Sequence, residues 1–104
     1  MPKQPMFYIG QIVHHLKYDY RGVIFDIHPE YQNTDAWYEN VAKSKPPKDR
    51  PWYHLLVHDA YHATYVSEVH LEPCLLQTDI VHPDLNKYFG VFDGGRYLLK
   101  QRLS

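Results

Sequence analysis

The sequence predicts an all-β domain, a small β-barrel or β-roll of about five short strands with one or two short helical segments. Three observations lead there. The first is Pro51-Trp52-Tyr53-His54-Leu55-Leu56-Val57-His58, aromatic, aliphatic and β-branched after an opening proline. Alternation puts Trp52, His54, Leu56 and His58 on one face and Tyr53, Leu55 and Val57 on the other. Both faces carry large apolar groups, so this reads as a central strand, with Pro51 at the position where a missing ladder donor costs least. The second is Gly22-Val23-Ile24-Phe25-Asp26-Ile27-His28, with Val23, Phe25 and Ile27 on an apolar face and Ile24, Asp26 and His28 on a mixed one. The third is the short spacing between such runs, punctuated by Pro and Gly.

In chain order, residues 1–6 read as a loose arm, and Phe7 to Leu16 as a strand in which Gly10 marks a bend or a close backbone approach. A turn through Lys17 to Gly22 joins it to the second strand, and strands this close should pair antiparallel. Pro29 ends that strand, and Thr34 is placed to cap a short helix over Asp35 to Ala42. Three prolines between residues 43 and 51 exclude helix and strand interior there. After the Trp52 strand, Asp59-Ala60-Tyr61 turns the chain into a returning arm, His62 to Ser67, which Val69 to Leu71 extend after a bulge. Pro73 to Thr78 reads as irregular. Leu85, Tyr88 and Phe89 share a helical face within residues 82–90, with Gly90 as the stop. Asp93-Gly94-Gly95 is a tight turn before a last short strand, Arg96 to Lys100.

The bulk properties narrow the function. A chain of 104 residues supports one core. The formal charge of −1 supplies no global basic field, so nucleic-acid binding would need a local patch. Eight histidines complicate this, because protonating all of them would move the charge from −1 to +7. Cys74 is the lone cysteine, which excludes an internal disulfide and fits a reducing compartment. The first residues carry no signal-peptide pattern, and no segment approaches the ~20 apolar residues of a membrane helix. A cytoplasmic protein without membrane attachment is expected.

Several short motifs occur in a specific order: Ile9-Gly10-Gln11, His15, Tyr20-Arg21-Gly22-Val23-Ile24-Phe25-Asp26-Ile27, Pro51-Trp52-Tyr53-His54-Leu55-Leu56-Val57, Thr64-Tyr65-Val66-Ser67-Glu68, Leu71, His82-Pro83 and Tyr88-Phe89. This set resembles the YccV-like family, which includes the bacterial heat-shock protein HspQ and the C-terminal domain of certain F-box proteins. The resemblance runs over residues 7–98. It implies an SH3-like β-barrel occupying residues 7–100, no enzymatic activity and no cofactor. It also implies binding of hemimethylated double-stranded DNA as a regulatory factor. Members of the HspQ type imply an alternative, a heat-shock adaptor that acts on Lon, an ATP-dependent protease, or on its substrates. Gly10, Gly22, Asp26, Pro51, Trp52, Tyr53, His54, Tyr65, His82 and Pro83 then read as family-motif residues with mainly structural roles. His28 departs from the family, which more often has an acid there. That removes a carboxylate pair with Asp26 and weakens a metal or acid–base role.

The candidate nucleic-acid contacts are Lys43, Lys45, Lys48 and Arg50, opposed only by Asp49 and flanked by Trp37, Tyr38, Trp52 and Tyr53. Cations interleaved with aromatics suit backbone contact and base stacking. The bland reading is a solvated loop beside core aromatics. Lys17 with Arg21, or Lys100 with Arg102, would complete the patch. For a methyl-reading pocket the turns offer Tyr18, Tyr20, Tyr31 and Tyr61. Burying one methyl is worth about 0.8 kcal/mol, so hemimethyl specificity would also need a penalty against the other states. His54 and His58 would stand about 13 Å apart along a strand, too far to share a metal. His62 could face His58 across the hairpin, but no third ligand is evident and no metal is expected. Cys74 lacks a catalytic context and reads as a small apolar residue. An adaptor would instead need an exposed apolar patch or a free strand edge. Homo-oligomerisation through an aromatic surface is compatible with either.

Overall fold

The computed structural model describes residues 4–100. Seven strands form: β1 (Ile12–His15), β2 (Arg21–His28), β3 (Trp52–Val57), β4 (Ala63–Ser67), β5 (Leu71–Pro73), β6 (Phe89–Asp93) and β7 (Arg96–Leu99). The first five make one antiparallel sheet in the order β4-β3-β2-β1-β5, and β6 and β7 make a separate hairpin. Two short helices, α1 (Asp35–Asn40) and α2 (Leu85–Tyr88), complete the fold. Among the described residues no ladder joins β4 to β5.

β3 is internal, as its two apolar faces require, and pairs with β2 and β4. Tyr53 and Leu55 enter one core with Phe7, Val13, Ile24 and Leu71, whereas Leu56 enters a second with Ile12, Val23, Ile80, Phe89 and Tyr97. The second core lies between the sheet and the β6–β7 hairpin. A bridge between Gln11 and Arg96 and a Tyr97 N–H donated to the Gly10 carbonyl (2.8 Å) tie that hairpin to the sheet.

Strand connectivity forces the sheet to curl. β4 ends at Ser67 and β5 begins at Leu71, yet they occupy opposite edges. A flat five-stranded sheet would separate its edges by about 19 Å. Four residues fully extended span at most ~14 Å, and a 3-10 turn spans far less. Glu68–His70 do form a 3-10 turn, capped by the Ser67 hydroxyl. The edges are therefore drawn together around the first core.

Four local readings are corrected. Only Ile12–His15 of the first expected strand forms a ladder, because Gly10 takes φ 95° and Gln11 N–H closes a turn on the Tyr8 carbonyl. A bulge between Ile24 and Asp26 shifts the β2 register, so Ile24 and Ile27 share the first core while Val23 and Phe25 face the second. The stretch after Ser67 turns and crosses to β1 instead of extending β4, and Pro73 is the last residue of β5. Gly90 lies inside β6, α2 ending just before it.

Helix α1 begins where expected, with the Thr34 hydroxyl accepting the Trp37 N–H at 3.1 Å, and ends two residues earlier than the Asp35 to Ala42 reading. Residues 43–50 contain neither helix nor strand but are anchored: Tyr38 Oη donates to the Pro46 carbonyl (2.8 Å) and Trp52 Nε1 to that of Pro47 (3.1 Å). Of the expected loose arm, residues 1–3 lie outside the described residues. Met6 N–H is bound to Glu68 Oε2 (3.0 Å). That carboxylate also accepts the buried Tyr53 hydroxyl at 2.7 Å. Burial, then the bond to Glu68, hold the Tyr53 phenol well above its usual pKa.

Candidate nucleic-acid interface

A groove of about 500 Å³ runs along β4, between the β1–β2 turn and the segment from α1 into the Pro-rich loop. β3 and β4 build its floor. Trp52 and Tyr65, adjacent on neighbouring strands, stack at 5.2 Å, and His54 packs on Tyr65 at 4.5 Å. Trp37, the third residue of α1, closes edge-on against Tyr65 at 5.6 Å. The opposite wall starts at His15, whose ring lies 4.9 Å from Tyr18 and 5.0 Å from Tyr20. Tyr20 Oη reaches Thr64 Oγ1 at 2.8 Å and thereby ties this wall to β4.

Its electrostatics are one-sided. Lys17 and Lys43 line the groove with His15, His54 and His70, and no carboxylate is among its lining residues. Lys17 Nζ also stands 5.5 Å over the Tyr18 ring. The outer edge of β4 is open as well. Val57 N–H bonds the His62 carbonyl and Glu68 N–H the Pro51 carbonyl. By the antiparallel alternation, Ala63, Tyr65 and Ser67 turn their backbone N–H and C=O groups away from β3.

The six candidate cations are not brought to one place. Only Lys17 and Lys43 of the six line the groove. Lys45 pairs with Glu39 (3.2 Å) and donates to the carbonyls of Tyr38 and Glu39. Lys48 pairs with Asp35 (3.5 Å) and sits 4.3 Å over the Tyr38 ring. Both lysines therefore fold back onto α1 and hold the loop. Arg21 donates to the carbonyls of Thr78 and Asp79 (2.8 and 2.9 Å), so it fastens a distant loop. Arg50 is exposed and has no ion pair among the described residues. Lys100 donates to the Asn86 carbonyl, and Arg102 lies outside the described residues.

Of the turn tyrosines, Tyr18 and Tyr20 line the groove, Tyr31 packs edge-on against Trp52 at 5.0 Å, and Tyr61 stands alone, 89% exposed. Among the family-motif residues, Trp52, His54 and Tyr65 line the groove. Gly10 and Gly22 mark close backbone approaches, and Pro51 and Tyr53 are buried. His82 is buried, with Nε2 on the His62 carbonyl (3.0 Å) and Nδ1 accepting Asp84 N–H, which sets the His82-Pro83 turn before α2. His58 is held by Val81 N–H and by Arg21. Asp26, His28 and His54 instead come together on one face. Trp37 is one of the aromatics that the sequence places beside the basic loop. Sequence reasoning did not include His70 and Thr64 among the site residues; they arrive from separate elements, and no local signal links them.

His15 makes the site pH-sensitive. Its Nδ1 accepts the N–H groups of Lys17 and Tyr18 at 3.1 and 3.0 Å, so the neutral ring organises the lysine-bearing turn. Burial first, then neighbouring His70, His14 and Lys17, lower its pKa to about 4. A histidine with a lowered folded-state pKa stabilises the fold above the unfolded value of ~6.5, and that contribution is lost as pH falls toward the folded value. Stability is expected to drop on the order of 2–3 kcal/mol between pH 7 and pH 4 from this ring. The urea midpoint should fall across that range, and His15→Gln should flatten this pH dependence. An unchanged slope in that variant would remove His15 as its cause.

The chain matches the model of the family described as "Hemimethylated DNA-binding protein YccV like" over residues 5–96. Among curated proteins it is similar to F-box only protein 21 of Pongo abelii and of Homo sapiens, each 31% identical over 98 residues, and to that of Mus musculus at 30%. These alignments cover 92% of this chain but only 15–16% of the relatives, so the chain spans about a sixth of their length. With the match to the family model running from Pro5 to Arg96, through the five-stranded sheet, the groove and β6, the chain belongs to the YccV-like family.

Proposed function

We propose that this protein is a non-enzymatic DNA-binding module that reads hemimethylated duplex through the β4 groove, acting as a regulatory factor. One observation carries the reading: an aromatic cleft with two lysines and no carboxylate in its lining. Aromatic faces take an unstacked base, and lysines take the flanking phosphates. A volume of about 500 Å³ lies within the range of small-ligand sites and suits a single nucleotide. A methyl group on that base would pack against Tyr65 or Trp37, the partly exposed aromatics of the lining. Discrimination beyond roughly fourfold then comes from the rigid floor excluding other base states. We read the curled sheet as an SH3-like barrel, on the strength of its short β4–β5 turn.

The test is a fluorescence-anisotropy titration of one duplex in unmethylated, hemimethylated and fully methylated forms at two salt concentrations. Hemimethylated duplex should bind tightest. Lys17→Ala with Lys43→Ala should lower the salt dependence by about one counterion per lysine. Lys45→Ala should change it little, since that lysine serves α1. Equal binding of all three duplexes would refute methyl reading. An unchanged salt slope in the double variant would move the DNA site elsewhere.

The open edge of β4 favours a second reading. An adaptor for ATP-dependent proteolysis could seat an extended client segment as an added strand. A peptide that competes with DNA for the groove, and whose degradation by a Lon-type protease depends on this protein, would support that role over the first.

A further inference from the structure

We propose that Asp26, His28 and His54 form a binding site for a divalent transition-metal ion, zinc foremost. The sequence separates these residues, and the β2 bulge unites them. Because the register shifts between Ile24 and Asp26, Asp26 stands directly opposite His54 on β3. His28, two residues on along the same strand, projects from the same face. One ligand atom from each of the three lies within 4.8 Å of the others, and His28 Nε2 is 3.5 Å from Asp26 Oδ2.

Each side chain is placed as a ligand. Asp26 Oδ1 accepts the Ile27 N–H at 2.9 Å, which fixes the carboxylate and leaves Oδ2 for an ion. His28 Nδ1 lies 2.9 Å from Tyr65 Oη, and that oxygen is itself anchored by the Gln32 N–H at 3.0 Å. An Nδ1–H donated to the phenol oxygen leaves the Nε2 lone pair facing Asp26. This is the outer-shell bond that metal-bound histidines make. His54 has no side-chain hydrogen bond among the described residues. Its ring is wedged between Tyr65 at 4.5 Å and His28 at 5.0 Å.

Two imidazoles and one carboxylate suit a borderline ion, with one coordination position open. Tetrahedral zinc needs its ligand atoms about 3.3 Å apart. Small side-chain rotations close the difference, and the rigid β2–β3 ladder needs no change. The acid expected at residue 28 would have made the site harder and less selective. The histidine that stands there supplies the second nitrogen. His54 and Tyr65 also line the groove, so a bound dication would add positive charge at the groove's floor.

The test uses the full chain, stripped of metal, with cobalt(II) as a spectroscopic probe and zinc as competitor. One equivalent should give the visible absorption of a low-symmetry cobalt site, and zinc should bleach it. Asp26→Asn and His28→Gln should each weaken binding about tenfold or more. His62→Ala, an exposed histidine, should leave it unchanged and so controls for casual binding by the other imidazoles. Nitrogen NMR of the histidine rings in the unmodified chain provides a readout that does not depend on a variant folding. Zinc should shift Nε2 of His28 and a ring nitrogen of His54 together. Sub-stoichiometric or unsaturable binding, equal affinity in Asp26→Asn, or shifts confined to other histidines would overturn the proposal.

Discussion

Replacing Trp52 with alanine is expected to cost about 3–5 kcal/mol, a large share of the stability of a domain this small. The indole is 1% exposed and touches Tyr31, Trp37, Tyr38 and Tyr65. Its Nε1–H also anchors the Pro47 carbonyl. Losing it opens a cavity under α1 and frees the Pro-rich loop at once. The melting temperature should fall by roughly 15 °C or more. Urea denaturation measures the loss directly, and Trp52→Phe should recover part of it by refilling the space without restoring the hydrogen bond. A cost below about 1 kcal/mol would mean that the loop and α1 are not held by this residue. Trp52 also lines the groove, so any folded fraction of Trp52→Ala should bind DNA more weakly.

Gly10→Ala is expected to cost roughly 3 kcal/mol, from left-handed backbone strain plus a collision that side-chain rotation cannot relieve. Gly10 has φ 95°, and an added Cβ would fall on the Tyr97 carbonyl oxygen. The same residue donates its N–H to Ile24 and accepts that of Tyr97, both at 2.8 Å, so it stitches β2 to the β6–β7 hairpin. Hydrogen exchange should show the loss concentrated in the hairpin amides before the sheet. Gly94→Ala is the control. It also has positive φ, at 57°, but nothing lies near its added Cβ, so it should cost only about 1 kcal/mol. Equal costs at the two positions would show that conformational strain, not close approach, explains Gly10.

Local composition determined much of this protein. The apolar alternation and β-branching of residues 52–57 specify an internal strand. Thr34 specifies a helix start, Gly94-Gly95 a hairpin turn, and the crowding of Pro46, Pro47 and Pro51 an irregular loop. The ordered motifs were enough to point to the YccV-like family. These features are legible because each depends on residues within one or two turns or a single strand.

Tertiary structure alone decided which residues share a site. The bulge in β2 reversed the faces of Ile27 and Asp26 relative to strict alternation, and no residue type in that strand announces it. The four cations of residues 43–50 look equivalent in sequence, yet Lys45 and Lys48 are spent on Glu39 and Asp35 once α1 folds back over the loop. Lys17 and Lys43, twenty-six residues apart, meet in one groove because the curl of the sheet brings the β1–β2 turn beside β4. Charge and aromaticity are properties of the chain. Whether a charge is already neutralised, and which aromatic faces line one cleft, depends on ladder register and on edges drawn together by a three-residue turn.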